Sequence, residues 1–274
     1  MPRIAIFQMS SGIDPEANSS AIVAAIEDAR RGGADMLFTP EMCTLLDRKR
    51  SRAAKRIEAG ETETSIRAVQ AACRKYEIWC SLGSVPLLGS QGRLVNRSII
   101  IDNQGNIAQT YDKIHMFDVD LETGESWRES SAYDAGNKVV SVETPVGKIG
   151  LTICYDIRFP ALFEALGTHC CDILSIPAAF TVPTGADHWH VLLRARAIEA
   201  SAFVIAAAQV GDHEDGRATY GHSLVVDPWG KVLLDLKDQV GLGFADIDLG
   251  RIAEVRAQLP SLANRRDIPR SYTS

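Results

Sequence analysis

The sequence predicts an α/β fold of four layers, an αββα sandwich, and three observations predict it. Short apolar runs of strand length alternate with segments of helical periodicity, the pattern of strands joined by crossover helices. The order strand–helix–strand–helix–strand plus hairpin occurs twice, once in each half of the chain. Two such halves bury most apolar surface as two sheets packed face to face with helices outside. The 274 residues, 46% hydrophobic and 23% charged, suffice for that core. No linker or low-complexity stretch divides them, so residues 1–274 read as a single domain, with a C-terminal arm from about 250 to 274.

Residues 3–8 are apolar enough for a central strand. Asp14-Pro15 opens a helix whose Ile22, Val23 and Ile26 follow helical spacing, and Gly32-Gly33 ends it. Residues 35–41 read as a second strand terminating at Glu41, parallel to the first because a helix joins them. Open α/β sheets place their sites at such carboxyl ends. The basic run 47–57 (Arg48, Lys49, Arg50, Arg52, Lys55, Arg56) reads as a solvated face, with a lid or substrate loop beside Glu41 as the rival. A helix over 62–76 and a strand over 79–86 follow. Then 94–101 and 107–111 form a hairpin across the turn 102–106. It delivers Lys113 and His115 into a long loop, and such loops in compact domains tend to serve function. The second half gives strand 148–153, helix 160–167, strand 172–177, helix 189–202, strand 203–209 and a hairpin through 227–231. Helix 251–259 and the tail Asn264-Arg265-Arg266 read as an arm over a neighbour or the surface.

A net charge of −6 argues against nucleic acid and anionic membrane as partners. No apolar run approaches the ~20 residues of a membrane span, and residues 1–7 enter a strand without a signal-peptide cleavage pattern. A cytoplasmic location is expected. The six cysteines show no C-x2-C spacing, so reduced thiols are expected and Cys170-Cys171 reads as structural.

Cys154 falls where strand 148–153 gives way to a helix begun by Pro160. An elbow of that kind exposes a thiol beside outward-pointing N–H groups. Alone, such a cysteine reads as a small buried hydrophobe. Its company changes the reading. Thr39-Pro40-Glu41, Tyr111-Asp112-Lys113-Ile114-His115 and Ile153-Cys154-Tyr155-Asp156-Ile157-Arg158-Phe159-Pro160 resemble the three signatures of the nitrilase superfamily of carbon–nitrogen hydrolases. The resemblance extends over the whole chain, including His188-Trp189, residues 193–199 and residues 221–230. One departure is Ala161, where relatives often carry Glu, which bears on a contact near Arg158 and not on the chemistry.

The resemblance implies a nitrilase-like sandwich and a cysteine-dependent amidase that works through a thioester, without metal or organic cofactor. A thiol of ordinary pKa near 8.5 is scarcely ionised at neutral pH and needs a base, which Glu41 supplies. Lys113 and the backbone N–H of Tyr155 then face the oxyanion. The family's second glutamate falls on Glu129, with Glu125 as the fallback. Tyr155, Arg158, Arg217 and His188 are the expected oxyanion and substrate contacts, and His115 a support behind Lys113. Within the superfamily the chain is most similar to the branch hydrolysing the amide of deaminated glutathione. Next come ω-amidases of 2-oxoacid amides, then N-carbamoyl hydrolases and nitrilases. Rivals of other classes are an idle binding protein of the same fold and a thiol redox protein; Cys154 lacks a C-x-x-C partner for the latter. His188-Trp189-His190 has no third ligand at helical spacing, so no metal is expected. A small amide is the expected partner, together with a second copy of the chain in a homodimer or higher homo-oligomer.

Overall fold

In the computed structural model, which describes residues 1–89, 92–120, 122, 124 and 126–269, the strand–helix units of the sequence close into two mixed sheets. Strand β1 (Arg3–Gln8) leads into α1 (Pro15–Arg31), and β2 (Met36–Phe38) returns parallel to β1. Asp14 caps α1 by accepting the Glu16 N–H, Pro15 sits in its first turn, and Arg30 and Arg31 lie at its carbonyl end. Helices α2 (Arg50–Glu58) and α3 (Glu61–Tyr76) precede β3 (Trp79–Leu88), parallel to β2. The antiparallel strands β4 (Leu94–Ile101) and β5 (Ile107–Asp112) follow. Strand alternation sorts the side chains. Ile4 and Ile6 enter the core between the sheets, while Ala5 joins the layer of Ile22, Ile26 and Val69 under α1 and α3.

The second half begins beyond a small hairpin of β6 (Asp118–Asp120) and β7 (Ser126–Arg128). Strands β8 (Ser141–Thr144) and β9 (Gly147–Leu151) pair antiparallel. Helix α4 (Pro160–Thr168), strand β10 (Ile173–Ser175), the short α5 (Val182–Thr184) and α6 (His190–Ala200) lead to β11 (Phe203–Ala206). A second small hairpin, β12 (Val210–Asp212) and β13 (Ala218–Tyr220), comes before β14 (Leu224–Val226) and β15 (Val232–Asp235). Finally β16 (Gly241–Asp246) and α7 (Leu249–Gln258) end the regular structure. The sheets run β16-β1-β2-β3-β4-β5 and β8-β9-β10-β11-β14-β15. Each has one antiparallel edge, three parallel strands and an antiparallel pair. Leu162, Phe163 and Leu166 of α4 and Leu193 and Ala197 of α6 cover the second sheet. The result is the αββα order expected from the repeated halves.

Differences from the sequence reading have local causes. The strand expected over 35–41 stops at Phe38, because Pro40 has no N–H to donate and Thr39 turns its hydroxyl to the Gly83 N–H. Glu41 therefore stands in a turn beyond the strand. The helix expected over 189–202 starts with a π-helical turn, Gly185–Trp189, before α6. Strand β16 joins β1 from the far end of the chain. The arm lies over its own chain: α7 buries Ile252 and Val255, and Arg265 donates to the Glu164 carbonyl and the Thr168 hydroxyl of α4. Residues 270–274 of that arm lie outside the described residues. Among the described residues, no helix is long and apolar enough to cross a membrane.

Candidate active site

The turn carrying Glu41 is laid on β3 at Gly83. A Cβ there would stand 2.0 Å from the Thr39 carbonyl oxygen and 2.3 Å from that of Pro40. Only a residue without a side chain lets the turn approach so closely. Gln209 holds the turn from the other half of the molecule, donating from Nε2 to the Glu41 carbonyl. Cys154 opens a 3₁₀ turn, Cys154–Arg158, three residues after β9, with φ at +48°. A non-glycine residue in the left-handed region costs about 1–3 kcal/mol and persists where its surroundings dictate it. Asp156 supplies much of that constraint. Fully buried, it accepts from Ile153 N and the Tyr111 hydroxyl through Oδ2, and from His115 N through Oδ1. His115 Nδ1 also lies 2.7 Å from Asp156, and its ring stacks on Phe159 at 3.6 Å. The imidazole thus joins the elbow to the lysine loop.

Lys113 follows β5, and its backbone N–H donates to the Asn96 carbonyl. Its ammonium, 2% exposed, lies 2.9 Å from Glu41 Oε1 and 2.9 Å from Glu129 Oε2. Glu129 Oε2 also accepts from the Phe117 N–H. Glu41 Oε2 accepts from the Ala179 N–H, and the Glu41 carboxylate lines the same cavity as the Cys154 thiol. Burial opposes the charge on Lys113, but the carboxylates of Glu129 and Glu41 outweigh it and hold its pKa well above the ordinary lysine value. Burial, and then the Glu41 charge, push the Cys154 thiol well above its usual range, with Lys113 a partial counterweight. The resting arrangement is therefore a protonated thiol in one cavity with a carboxylate that can act as its base. An ammonium is already fixed where negative charge would develop.

These groups line one cavity of about 240 Å³, just below the roughly 300–1,000 Å³ of common small-molecule pockets. It brings together Glu41, Lys113, Glu129, Cys154, Tyr155, Arg158 and Arg217. His188 is not among its walls. It sits exposed on the π-helical turn, and Arg158 donates to its Nδ1 from both terminal nitrogens at 3.3 Å. Glu125, the alternative to Glu129, lies outside the described residues. The basic run divides. Arg52 pairs with Asp47 and Arg56 with Glu61, while Arg48 and Arg50 reach the cavity wall. Arg48 and Arg217 stand 5.2 and 5.0 Å from the centre of the Trp127 ring. Arg217 is further fixed by Asp215 at 2.7 Å. Arg158 lies over Phe180 at 5.4 Å and meets no carboxylate among the described residues. A rim of guanidiniums over a net-negative chain favours an anionic ligand.

Sequence reasoning missed Trp127, Tyr133 and Asn96. Trp127 lies on the short strand β7 and Tyr133 in the segment after it, neither within a motif. Asn96 looks like an outward polar residue of β4, yet it is 1% exposed and donates from Nδ2 to both Glu41 and Glu129. Its Oδ1 is buried without a partner among the described residues. Also missed was a cluster of His190, His222 and Asp235, whose partners for His190 come from other elements and not from helical spacing. Burial raises the Asp235 carboxyl, but Lys237, His190 and His222 bring it down to about 2. Its oxygens are occupied by His222 Nδ1 at 2.9 Å and Lys237 Nζ at 2.6 Å, and the approach of His190 Nε2 at 3.3 Å ties α6 to β15.

Comparison with known proteins bears on the family and the fold. The family model described as carbon–nitrogen hydrolase matches residues 3–257. The chain is 38% identical to a deaminated glutathione amidase of Yersinia enterocolitica over 268 residues, covering 96% of this chain and 92% of that one. It is 39% identical to the Bos taurus protein of the same name over 97% of this chain and 82% of that one. Among solved structures, the Caenorhabditis elegans NitFhit protein superposes with a TM-score of 0.91 at 37% identity. That match covers 97% of this chain and 65% of the longer NitFhit chain. Saccharomyces cerevisiae Nit3, a member of branch 10 of the nitrilase superfamily, gives a TM-score of 0.83 at 26% identity over 94% of each chain.

Proposed function

The chain belongs to the carbon–nitrogen hydrolase family and is an amidase of the nitrilase superfamily, and from that premise we propose that Cys154, Glu41, Lys113 and Glu129 carry its chemistry. One observation carries the reading. A strained, buried thiol shares a cavity with a carboxylate and a lysine held between two glutamates.

In this reading Glu41 takes the thiol proton as Cys154 attacks the amide carbon. The oxyanion forms against Lys113 and the backbone N–H of Tyr155. Collapse breaks the carbon–nitrogen bond, the departing ammonia takes the proton back from Glu41, and a thioester remains on Cys154. Water, deprotonated by Glu41, then attacks the thioester, and the thiolate leaves with that proton as the acid departs. Glu129 keeps Lys113 in place. Because Lys113 remains charged throughout, its help falls mainly on the transition state and appears in kcat.

The acyl group we assign is that of deaminated glutathione. The names of the relatives support it, as does the rim of Arg48, Arg158 and Arg217, suited to the carboxylates of a peptide-like acid. The test compares kcat/KM for deaminated glutathione and for 2-oxoglutaramate with the same preparation. At least about a tenfold preference for the former, some 1.4 kcal/mol, is expected. Preference for 2-oxoglutaramate would overturn the substrate and leave the amidase chemistry standing. We further assign a cytoplasmic location, supported by cysteines that are all free, and one catalytic domain acting as a homodimer through α4 and the C-terminal arm.

A further inference from the structure

Lys113 carries one positive charge between two carboxylates, so the buried group Glu41–Lys113–Glu129 is one negative charge in excess. Something must hold two like charges on a single ammonium without protonating one of them. Asn96 is in position to do so. Its Nδ2 lies 3.0 Å from Glu41 Oε1 and 3.3 Å from Glu129 Oε1. An amide NH2 has two hydrogens, one for each carboxylate. Its backbone carbonyl accepts the Lys113 backbone N–H at 2.9 Å, so one residue of β4 contacts both carboxylates and the backbone of the lysine between them. The opposite face of its side chain does nothing: Oδ1 is buried and unpartnered among the described residues. A residue selected for packing would not leave an acceptor stranded there.

We infer that Asn96 is a positioning residue, whose amide bridges Glu41 and Glu129 so that both stay ionised and Glu41 stays in place beside Cys154 in the cavity. This rests on the roles proposed for Glu41, Lys113 and Cys154. The groups facing the bridge are Lys113, Cys154, Tyr133 and, beyond them, Arg217. Two of these are cations that remain, so losing the amide weakens the ionised state of the glutamates without abolishing it.

The experiment uses the full-length enzyme with Asn96→Asp, which keeps shape and removes the donors, and Asn96→Ala. Both are followed by ammonia release and by the rate of Cys154 alkylation with iodoacetamide across pH. In Asn96→Ala, kcat should fall about 10²-fold with KM within about threefold, since a displaced base loses most of its benefit. The acid limb of kcat/KM and of alkylation should move up by about one pH unit, because a carboxylate that loses a donor is protonated more easily. Asn96→Asp should lose at least as much at neutral pH despite its identical outline. A lower Tm with both pH profiles unmoved would show a structural residue and overturn the inference; so would near-normal turnover in Asn96→Asp. Should Asn96→Ala fail to fold, the isosteric variant decides alone. Cys154→Ala and Glu41→Gln serve as controls: if either keeps its activity, the underlying reading fails instead.

Discussion

Replacing Lys113 with methionine shortens the side chain by one atom and removes the ammonium, its charge and its three donors together. The ammonium is 2% exposed and 2.9 Å from each of two glutamates, so the variant strands two buried carboxylates. Removing one partner of a buried ion pair costs about 3–5 kcal/mol. At about 2–3 °C per kcal/mol for a chain of this size, Tm should drop about 6–15 °C. Without the ammonium, the glutamate pKa in the folded state rises above the roughly 4.3 of an unfolded chain. Between those two values the folded variant binds more protons than the unfolded chain, so its stability increases as pH falls. The deficit should be largest near about pH 8 and shrink towards about pH 5, a trend absent from the unmodified protein. Turnover should fall about 10²–10³-fold, as for loss of one oxyanion donor, with KM changed far less. Calorimetric melting from pH 5 to 8 and steady-state ammonia release read both. A variant with normal kcat and only a raised KM would show that Lys113 merely binds substrate. A Tm within about 2 °C of the parent at every pH would show that the two glutamates do not depend on it.

Arg217→Ala removes one guanidinium from the Trp127 ring and frees Asp215, and should lower the kcat/KM ratio of deaminated glutathione to 2-oxoglutaramate about fivefold to tenfold; an unchanged ratio removes Arg217 from substrate recognition. Asp235, depressed to about 2, contributes stability that is whole above its unfolded pKa near 3.8 and lost as pH falls through about 2. The gap in Tm between the parent and Asp235→Asn should therefore be full above about pH 4 and close towards pH 2, and a constant gap would refute the contribution of that carboxylate. Light scattering on the eluting protein should give twice the 29.8 kDa of one chain; a monodisperse and fully active monomer would refute the dimer.

The parallel strands and their helices were legible because each is a dense apolar run or a periodic segment with a cap, as in β1, α1 and β10. Strands β16 and β8 were not, since their Gly-rich and polar residues gain strand form only by pairing with β1 and β9. The same holds for the small hairpins β6–β7 and β12–β13, which carry the cavity rim on segments that read as loops. Glu41, Lys113 and Cys154 stood out through local motifs at element ends. Glu129 needed the family resemblance. Asn96 left no signal, because only the closing of β4 against the Glu41 turn makes its amide meet two carboxylates. His188, expected as a substrate contact from the resemblance, lies off the cavity wall, where the π-helical turn brings it to Arg158.

A covalent intermediate on Cys154 is open to acid-quenched mass spectrometry of the enzyme mixed with deaminated glutathione. A mass increase equal to the acyl group is expected on the peptide containing Cys154, formed together with about one equivalent of ammonia per active site. Cys154→Ala should show neither the adduct nor sustained ammonia release. Ammonia release that persists in Cys154→Ala, or turnover in the parent without any adduct on that peptide under a quench faster than turnover, would contradict the intermediate.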